Sequence, residues 1–282
     1  MRVEIIDPGK TQYGAVNLFA DQLADAYREL GHTVGADDPD LTLSFTTLPE
    51  GCSGIQLLVD HPLNRHISPG ALVGCVDGSH LPIVTRYFNA TPFLFPHAGC
   101  CLEGPGDPRG PRDIDILFTG TFEDPRRYRP VACAEPSDLV HARSLFRLKD
   151  RYERYSRREA ILTALGRAGL AVDVFGTGWE ALPDPGPHRF HGPVPFSEAL
   201  ALYRGAKIVL HIDPGFPDGS HERIYSAQMA GAAVVTDPDQ IALLLKEDER
   251  RVALAAANQA EAFRSHTWIE RIKKSIPLGR ML

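Results

Sequence analysis

The feature that most constrains the fold is a regular alternation of short apolar runs with helical patterns in the second half of the chain. The apolar runs cover residues 114–119, 171–175, 208–212 and 232–236, and helical patterns lie around 154–168, near 197–203 and from His221 onward. Alternating strands and helices predict a doubly wound parallel sheet. In such sheets ligands bind beyond the carboxyl ends of the strands, so the loops that follow the strands are the expected functional region.

The first hundred residues carry a weaker form of the same pattern. A strand-like start at VEIID precedes a helical pattern from Val16 to Leu30, and apolar runs follow at residues 41–45, 55–59 and 72–76. They predict a first sheet of four or five strands. The Gly- and Pro-rich stretch from Phe95 to Arg112 predicts an exposed connection between two units.

The predicted organisation is therefore α/β, with two Rossmann-like doubly wound domains that face each other across a cleft. The predicted boundaries are 1–105 for the first domain and 113–265 for the second. A closing helix is expected at 266–282, where Trp268, Ile269, Ile272 and Ile276 fall on one face.

Composition narrows the classes of function. With 282 residues, 43% hydrophobic and 23% charged, the chain is expected to be a globular protein of the cytoplasm, because no run reaches the roughly 18 apolar residues of a membrane helix. A net charge of −6 argues against nucleic acid as the main partner. Five cysteines without a CxxC pair suggest neither disulfides nor a zinc site.

One segment is basic although the chain as a whole has a negative net charge. Between Arg126 and Arg158 the chain carries ten Lys or Arg residues and four acidic ones. This run is typical of a solvated helix face, and it is also compatible with side chains that contact a phosphate-bearing ligand. Both interpretations stay open at this stage.

Two loops after predicted strands place glycines where a ligand could approach the backbone closely. They are FTGTF, with Gly120, and FGTGW, with Gly176. Neither is a GxGxxG fingerprint, which weakens the case for a nicotinamide or flavin enzyme. Each could equally be an ordinary tight turn.

A third loop begins at Gly192 and leads into a helix and a very apolar strand. Val194 and Pro195 would present main-chain polar groups near the cleft, which suits recognition of a flat base. A plain connection between a strand and a helix is the alternative.

The fourth loop, from residue 213 to 237, is the most informative. Ser220 is a good N-cap, Glu222 and Arg223 fall in the first turn, and Gly231 ends the helix. A helix that begins at this edge of the sheet offers free amides and a partial positive charge to a diphosphate. Arg223 could pair with a phosphate, and Glu222 could accept sugar hydroxyls. Alternatively, Glu222 only complements the helix dipole and Arg223 forms a surface ion pair.

At these residues the chain resembles the GT-B glycosyltransferases, and among them the CgeB-like transferases. The resemblance rests on GPVPFSEALALYRGAKIVLHI, on SHERIYSAQMAGAAVVTD and on the terminal HTWIERIKKSI, with weaker echoes in ILFTGTF, LVDHP and FPHAG. It implies hexosyl transfer from a nucleotide-diphosphate sugar held by the second half to an acceptor held by the first. It also implies no cofactor and no obligatory metal.

The resemblance assigns expected roles to particular residues. His221, Glu222 and Arg223 would meet the sugar diphosphate, Gly120 would lie near the phosphates, and the loop from Gly192 to Pro195 would face the base. Many retaining GT-B enzymes have glutamates at the positions of Ser226 and Asp218. The departure at Ser226 leaves the ribose contact and the stereochemistry open, with Glu222 as a possible replacement.

Three first-half residues are candidates for a catalytic base. Asp60 and His61 end a predicted strand, and His97 precedes the connection. An inverting transferase needs a base within hydrogen-bond reach of the acceptor hydroxyl. If configuration is retained, the donor phosphate can take the proton and no base is needed.

Other functions remain compatible with the sequence. A sugar-nucleotide epimerase of the same shape would share the donor helix, and a non-catalytic nucleotide-sugar-binding protein is compatible with the missing helix glutamate. The Asp-x-Asp metal motif of GT-A enzymes could be sought in DPD at 38–40 and 237–239, but proline-containing turns explain both.

Overall fold

The computed structural model describes residues 1–9, 11, 14–35, 37–128, 135–212 and 215–276. They form two parallel β-sheets flanked by helices. The predicted fold class, two doubly wound α/β halves, is therefore confirmed. The exact domain boundaries stay predictions, because one continuous apolar cluster includes side chains from both halves.

The first sheet has six parallel strands in the order β2-β1-β3-β4-β5-β6. The strands are β1 Arg2–Ile5, β2 Thr33–Val34, β3 Leu41–Ser44, β4 Ile55–Leu57, β5 Leu72–Cys75 and β6 Thr91–Leu94, and the helices are α1 Ala15–Glu29 and α2 Leu81–Tyr87. The expectation of four or five strands missed the two edges. Strand β2 has only two residues, and β6 is largely solvent-facing. Neither therefore has the buried apolar run on which the prediction relied.

The second sheet has five parallel strands in the order β11-β10-β7-β8-β9. The strands are β7 Ile114–Thr119, β8 Asp173–Phe175, β9 Arg189–His191, β10 Ala206–Leu210 and β11 Ala233–Val235. Its helices, with those that follow, are α3 Leu139–Arg167, α4 Phe196–Gly205, α5 Glu222–Met229, α6 Ile241–Lys246, α7 Asp248–Ser265 and α8 Trp268–Ser275. Strand β7 has the predicted bounds, whereas the short edge strand β9 was missed.

Helix α3 is much longer than its prediction. The pattern around 154–168 covers only its second half, and the helix begins at Leu139 behind Asp138, whose side chain accepts a hydrogen bond from the His141 amide (2.9 Å). The first half is rich in charged residues and has no single apolar face. This half extends away from its own sheet to the 3-10 turn at Pro62–Asn64 in the first half of the chain.

The connection between the two sheets is only partly exposed. Residues 102–105 are exposed as expected, but residues 97–100 are buried. Arg112 is also buried, and its guanidinium donates to the carbonyls of Tyr203, Ala206 and Ala230 at 2.7–3.2 Å. The expectation of an exposed linker is wrong for these positions, because main-chain contacts fix the segment to the second sheet's helices.

Helix α8 returns to the first half and packs against α1. Trp268 is buried among Phe19, Phe45 and Phe95, with ring centroids 5.6–6.4 Å away. Residues 277–282 of the predicted closing helix lie outside the described residues, as does Cys133. Among the helices described, none combines the length and apolarity needed to cross a bilayer.

Candidate functional site

Two adjoining cavities lie where the carboxyl ends of the two sets of strands face each other. The charged cavity, about 280 Å³, is lined mainly by the second half and includes Gly120, Gly176, Val194, Arg158 and Arg223. The aromatic cavity, about 390 Å³, is lined by Phe19, Phe45, Asp60 and His61 of the first half and by Phe146 and Phe216 of the second. Four residues line both cavities, namely Ala15, Arg154, His221 and Glu222.

The amino end of α5 lies at the junction of the cavities. The helix begins at Glu222 and its N-cap is His221, not Ser220 as predicted. His221 has the extended backbone of a cap residue (ψ 148°), and its Nδ1 lies 3.4 Å from the Arg223 amide. Ser220 lies one residue before the cap, and the cavity linings include His221, Glu222 and Arg223 but not Ser220.

Glu222 and His221 are in contact where the two cavities join. Glu222 is 7% exposed, and its Oε2 contacts Nδ1 of His221. Burial alone would raise the pKa of Glu222, but the favourable charge and hydrogen bond of His221 outweigh it and hold that pKa below its usual range. Glu222 is therefore a carboxylate at neutral pH, and the second-half end of the cleft contains a fixed negative charge beside several positive ones.

Three arginines surround the charged cavity. Arg154 and Arg158 come from α3 and Arg223 from α5. Arg154 forms an ion pair with Asp150 (2.7 Å). Arg158 is 4% exposed, donates to the Thr121 carbonyl and lies over the Phe118 ring (5.4 Å).

Arg158 differs most from an ordinary surface arginine, because its guanidinium is almost fully buried. No carboxylate of the described residues forms an ion pair with it, whereas its Nε, like that of Arg154, has no hydrogen-bond partner. Burial, followed by the charges of Arg223 and Arg154, lowers the pKa of Arg158 to about 9. It is still a cation at neutral pH, and an anion in the cavity would relieve the mutual repulsion of the guanidinium groups.

The two predicted glycines meet at the wall of the charged cavity. Gly176 has a φ of +151°, and a Cβ there would lie 2.0 Å from the Gly120 carbonyl oxygen. A Cβ at Gly120 would lie 3.2 Å from the Arg158 guanidinium. Side chains are thus excluded where the ends of strands β7 and β8 approach each other, and both glycines also line the cavity.

The loop from Gly192 to Pro195 is split between two surfaces. Val194 lines the charged cavity, while Gly192 lines an adjacent open depression of about 610 Å³ together with Trp179 and His191. Pro195 lies outside both linings, and its carbonyl accepts the first hydrogen bond of α4 from the Ala199 amide (3.0 Å). The Pro195 carbonyl is therefore already used inside the protein.

The three base candidates are in different environments. Asp60 lines the aromatic cavity, and each carboxylate oxygen accepts one hydrogen bond, from the His61 amide (2.7 Å) and from Asn64 Nδ2 (3.3 Å). Carboxylate oxygens accept more than one hydrogen bond, so Asp60 keeps accepting capacity toward the cavity. This environment is compatible with a base.

His61 and His97 are less suited to that role. Nδ1 of His61 accepts from the Leu63 amide (3.2 Å), which places the ring proton on Nε2, and burial with the neighbouring His80 lowers the pKa of His61 to about 3. His97 is 3% exposed, and burial lowers its pKa to about 4 despite the nearby Glu222. It lies behind His221 (ring centroids 5.5 Å apart), out of reach of an acceptor.

The departure at Ser226 has a structural explanation. Ser226 is 1% exposed, and its Oγ accepts a hydrogen bond from the Cys100 amide (2.9 Å). Asp218 is exposed, and its amide donates to Asp77 Oδ2 (3.0 Å). Neither residue lines the charged cavity. Ser226 instead fixes the connection between the sheets.

Residues that the sequence did not single out complete the site. Asp150, Arg154 and Arg158 of α3 and Arg65 of the first half line the cavities. The basic run from 126 to 158 was the available signal, but its spacing did not show which members point into the cleft. Across the residues described, no group of three His, Cys, Asp or Glu side chains is arranged to hold a metal ion.

Comparison with known proteins agrees with this architecture. Residues 157–242, which include the C-terminal part of α3 and the whole of α5, match the "Glycosyl transferase-like" family model. No curated protein sequence matches the chain. The family match thus covers the region that forms most of the charged cavity.

Solved structures match over almost the whole chain. A T4 phage β-glucosyltransferase in complex with its UDP-glucose substrate has a TM-score of 0.60 at 12% identity, covering 97% of this chain and 99% of that one. An α-glucosyltransferase in complex with UDP and a 13-mer DNA has a TM-score of 0.60 at 9% identity, covering 95% and 96%. Sucrose-phosphate synthase from Thermosynechococcus elongatus has a TM-score of 0.56 at 12% identity, covering 99% and 97%.

The chain has the GT-B glycosyltransferase fold that the resemblance implies. The narrower likeness to CgeB-like transferases stays a prediction.

Proposed function

We propose that this protein transfers a hexosyl group from a nucleotide-diphosphate sugar to a hydroxyl acceptor, and that it needs no metal ion to do so. In this proposal the charged cavity holds the donor and the aromatic cavity holds the acceptor. The observation that carries it is the buried guanidinium of Arg158, which faces a cavity with no carboxylate partner among the described residues.

The charges around the cavity support a diphosphate as the ligand. Arg158, Arg154 and Arg223 converge on it together with the amino end of α5, which carries a partial positive charge. As the bond from the anomeric carbon to the diphosphate breaks, negative charge develops on the leaving oxygen. Fixed guanidinium groups stabilise that charge without an ion.

The remaining donor contacts follow from the geometry. In this proposal the phosphates lie against Gly120 and Gly176, which line the charged cavity, and Val194 with the depression beside Gly192 offers a surface for the base. Glu222 lies at the junction of the cavities, where the transferred sugar must sit. Its carboxylate can accept hydrogen bonds from sugar hydroxyls.

We assign the acceptor base to Asp60. The acceptor oxygen attacks the anomeric carbon, its proton passes to the Asp60 carboxylate, and the electron pair of the breaking bond goes to the diphosphate oxygen. This displacement inverts the anomeric configuration. The geometry supports Asp60 over His61, whose Nδ1 is occupied, and over His97, which is buried behind His221.

A two-stage experiment tests the proposal. The protein is first screened by thermal shift against UDP-, GDP- and dTDP-sugars, since a ligand at 100 times its Kd stabilises the fold by about 2.7 kcal/mol. The donor that stabilises it is then incubated with the protein, and release of the nucleoside diphosphate is measured. Stabilisation with release supports a transferase. Stabilisation without release, for any acceptor offered, would support a binding protein, and interconversion of the free sugar nucleotides would support an epimerase.

A further inference from the structure

We infer that the aromatic cavity accepts a small hydroxylated ring compound with an apolar face, of the phenol class, and not a polymer. The inference rests on the proposed function, because it names the acceptor for the first-half side of the same cleft. Three features of the cavity carry it: the apolar floor, the closed wall and the few charges left outside ion pairs.

The floor of the cavity is formed by apolar side chains. Val16, Phe19, Phe45 and Val59 come from the first half, and Phe216 faces them from the second. Phe19 and Phe45 are 3% and 5% exposed, so the little surface that they keep faces the cavity. A flat ring gains buried apolar area and edge or face contacts with such a floor.

The wall of the cavity is the first half of α3. Phe146 stacks on His61 with ring centroids 3.6 Å apart and planes inclined by 13°. Arg143 donates to the Arg65 carbonyl (2.7 Å), and its guanidinium lies 5.7 Å from the centre of the Phe88 ring. The helix thus bridges the two halves beside the cavity.

This wall limits what can enter. With the bridge in place, the cavity measures about 390 Å³, within the range of small-molecule sites. A polymer chain would need an open groove through this side, where Phe146 and His61 are in contact. The net charge of −6 and the cavity carboxylates also oppose a polyphosphate backbone.

The charged residues of the lining fall into two groups. Arg154 is paired with Asp150, and Glu222 is paired with His221. Asp60 and Arg65 form no ion pair within the described ranges, and Arg65 Nε is buried without a hydrogen-bond partner. The ligand is therefore expected to offer Asp60 a hydroxyl and Arg65 an acceptor oxygen.

The test uses 4-methylumbelliferone, a fluorescent phenol that carries both a hydroxyl and a ring carbonyl. Its binding to the whole protein is titrated by fluorescence, with and without UDP. We expect saturable binding that weakens at least about ten-fold in Phe146→Ala and about three- to ten-fold in Arg65→Gln. Val140→Ala, at a 76% exposed position of the same helix, is the matched control and should bind as the wild type does.

Several outcomes would overturn the inference. These are no saturable binding to the wild type, unchanged binding in both cavity variants, and tighter binding of glucose or of a 13-mer duplex with a hydroxymethylated base. Arg65→Gln removes no core side chain, so it keeps the test decisive if Phe146→Ala does not fold. A separate UDP titration distinguishes the two proposals, since loss of UDP binding alone counts against the donor site and loss of phenol binding alone counts against this one.

Discussion

The charged cavity and the aromatic cavity share a boundary but are built on different physical principles. The charged cavity combines three guanidinium groups with two glycines, whereas the aromatic cavity combines an apolar floor with charged side chains of both signs, among them Asp60, Arg65 and Asp150. His221 and Glu222 belong to both. Recognition by charge and recognition by shape therefore meet at the contact between His221 and Glu222, and residues that line only one cavity can be altered without changing the other.

The largest expected effect is a loss of turnover through a change in the aromatic cavity alone. Asp60→Asn removes the proposed base, and turnover should fall about a thousand-fold, within the range of general-base contributions. Donor binding should be unchanged, because Asp60 lies outside the charged cavity lining. Nucleoside diphosphate release measures the first quantity and thermal shift the second.

Asp21→Asn, at an exposed position of α1, is the matched control for this change. Full turnover in Asp60→Asn would contradict the assignment. So would a product that retains the anomeric configuration of the donor, as read from its NMR coupling constants.

The next largest effect concerns the stability of the protein at the main chain that lines the charged cavity. Gly176→Ala places a Cβ 2.0 Å from the Gly120 carbonyl oxygen at a φ of +151°, and we expect a loss of about 2–4 kcal/mol in the free energy of unfolding. Gly192→Ala is the matched control. A Cβ there meets no atom within 4 Å, so its effect should stay within about 0.5 kcal/mol. Equal losses in chemical denaturation would show that the close approach at Gly176 is not a constraint.

A smaller effect concerns His97, which is buried behind His221 and lines neither cavity. Burial lowers the pKa of His97 to about 4, below the 6.5 of an unfolded histidine. The unfolded chain therefore binds a proton first as pH falls, and His97 stabilises the fold above pH 6.5 and loses that contribution between 6.5 and 4. The total is on the order of 3 kcal/mol.

In His97→Gln, the free energy of unfolding should fall less steeply as pH decreases over this range. The slope should correspond to the uptake of about one proton fewer on unfolding. Urea unfolding at pH 7, 5.5 and 4.5 gives the slope, and His66→Gln, at an exposed position, is the matched control. An unchanged slope in His97→Gln would mean that the ring takes up its proton as readily in the folded state.

The smallest change is expected on removal of metal ions, which should have no substantial effect on turnover. If guanidinium groups alone stabilise the leaving diphosphate, EDTA should change turnover by less than about two-fold. A loss of turnover that Mn²⁺ or Mg²⁺ restores would contradict the metal-independent part of the proposal.

The same contrast explains how much could be predicted from sequence. Strand β7 was predicted to the residue, because most of its residues (Ile114, Ile116, Leu117 and Phe118) are apolar, as is typical of a buried parallel strand. Gly120, Gly176, Glu222 and Arg223 were selected from local patterns, and all four line the charged cavity. Their chemical roles stay predictions.

Most residues of the aromatic cavity could not be predicted from local sequence patterns. Phe146 and Arg65 lie 81 positions apart, and only the crossing of α3 to the other half brings them together. Ser226 was compared with a glutamate of other enzymes, but its contact with Cys100 is equally non-local. Even the cap of α5 shifted by one residue, because both Ser220 and His221 can serve as caps and the backbone decides between them.

We claim that the buried guanidinium of Arg158, which has no carboxylate partner among the described residues, makes the charged cavity a diphosphate site, and UDP binding tests this most directly. Isothermal titration should show at least about 100-fold weaker UDP binding in Arg158→Ala, since charge-assisted hydrogen bonds contribute about 1.5–3 kcal/mol each. Arg147→Ala, exposed on the same helix, should bind UDP within about two-fold of the wild type. Wild-type affinity in Arg158→Ala, or an equal loss in both variants, would contradict the account.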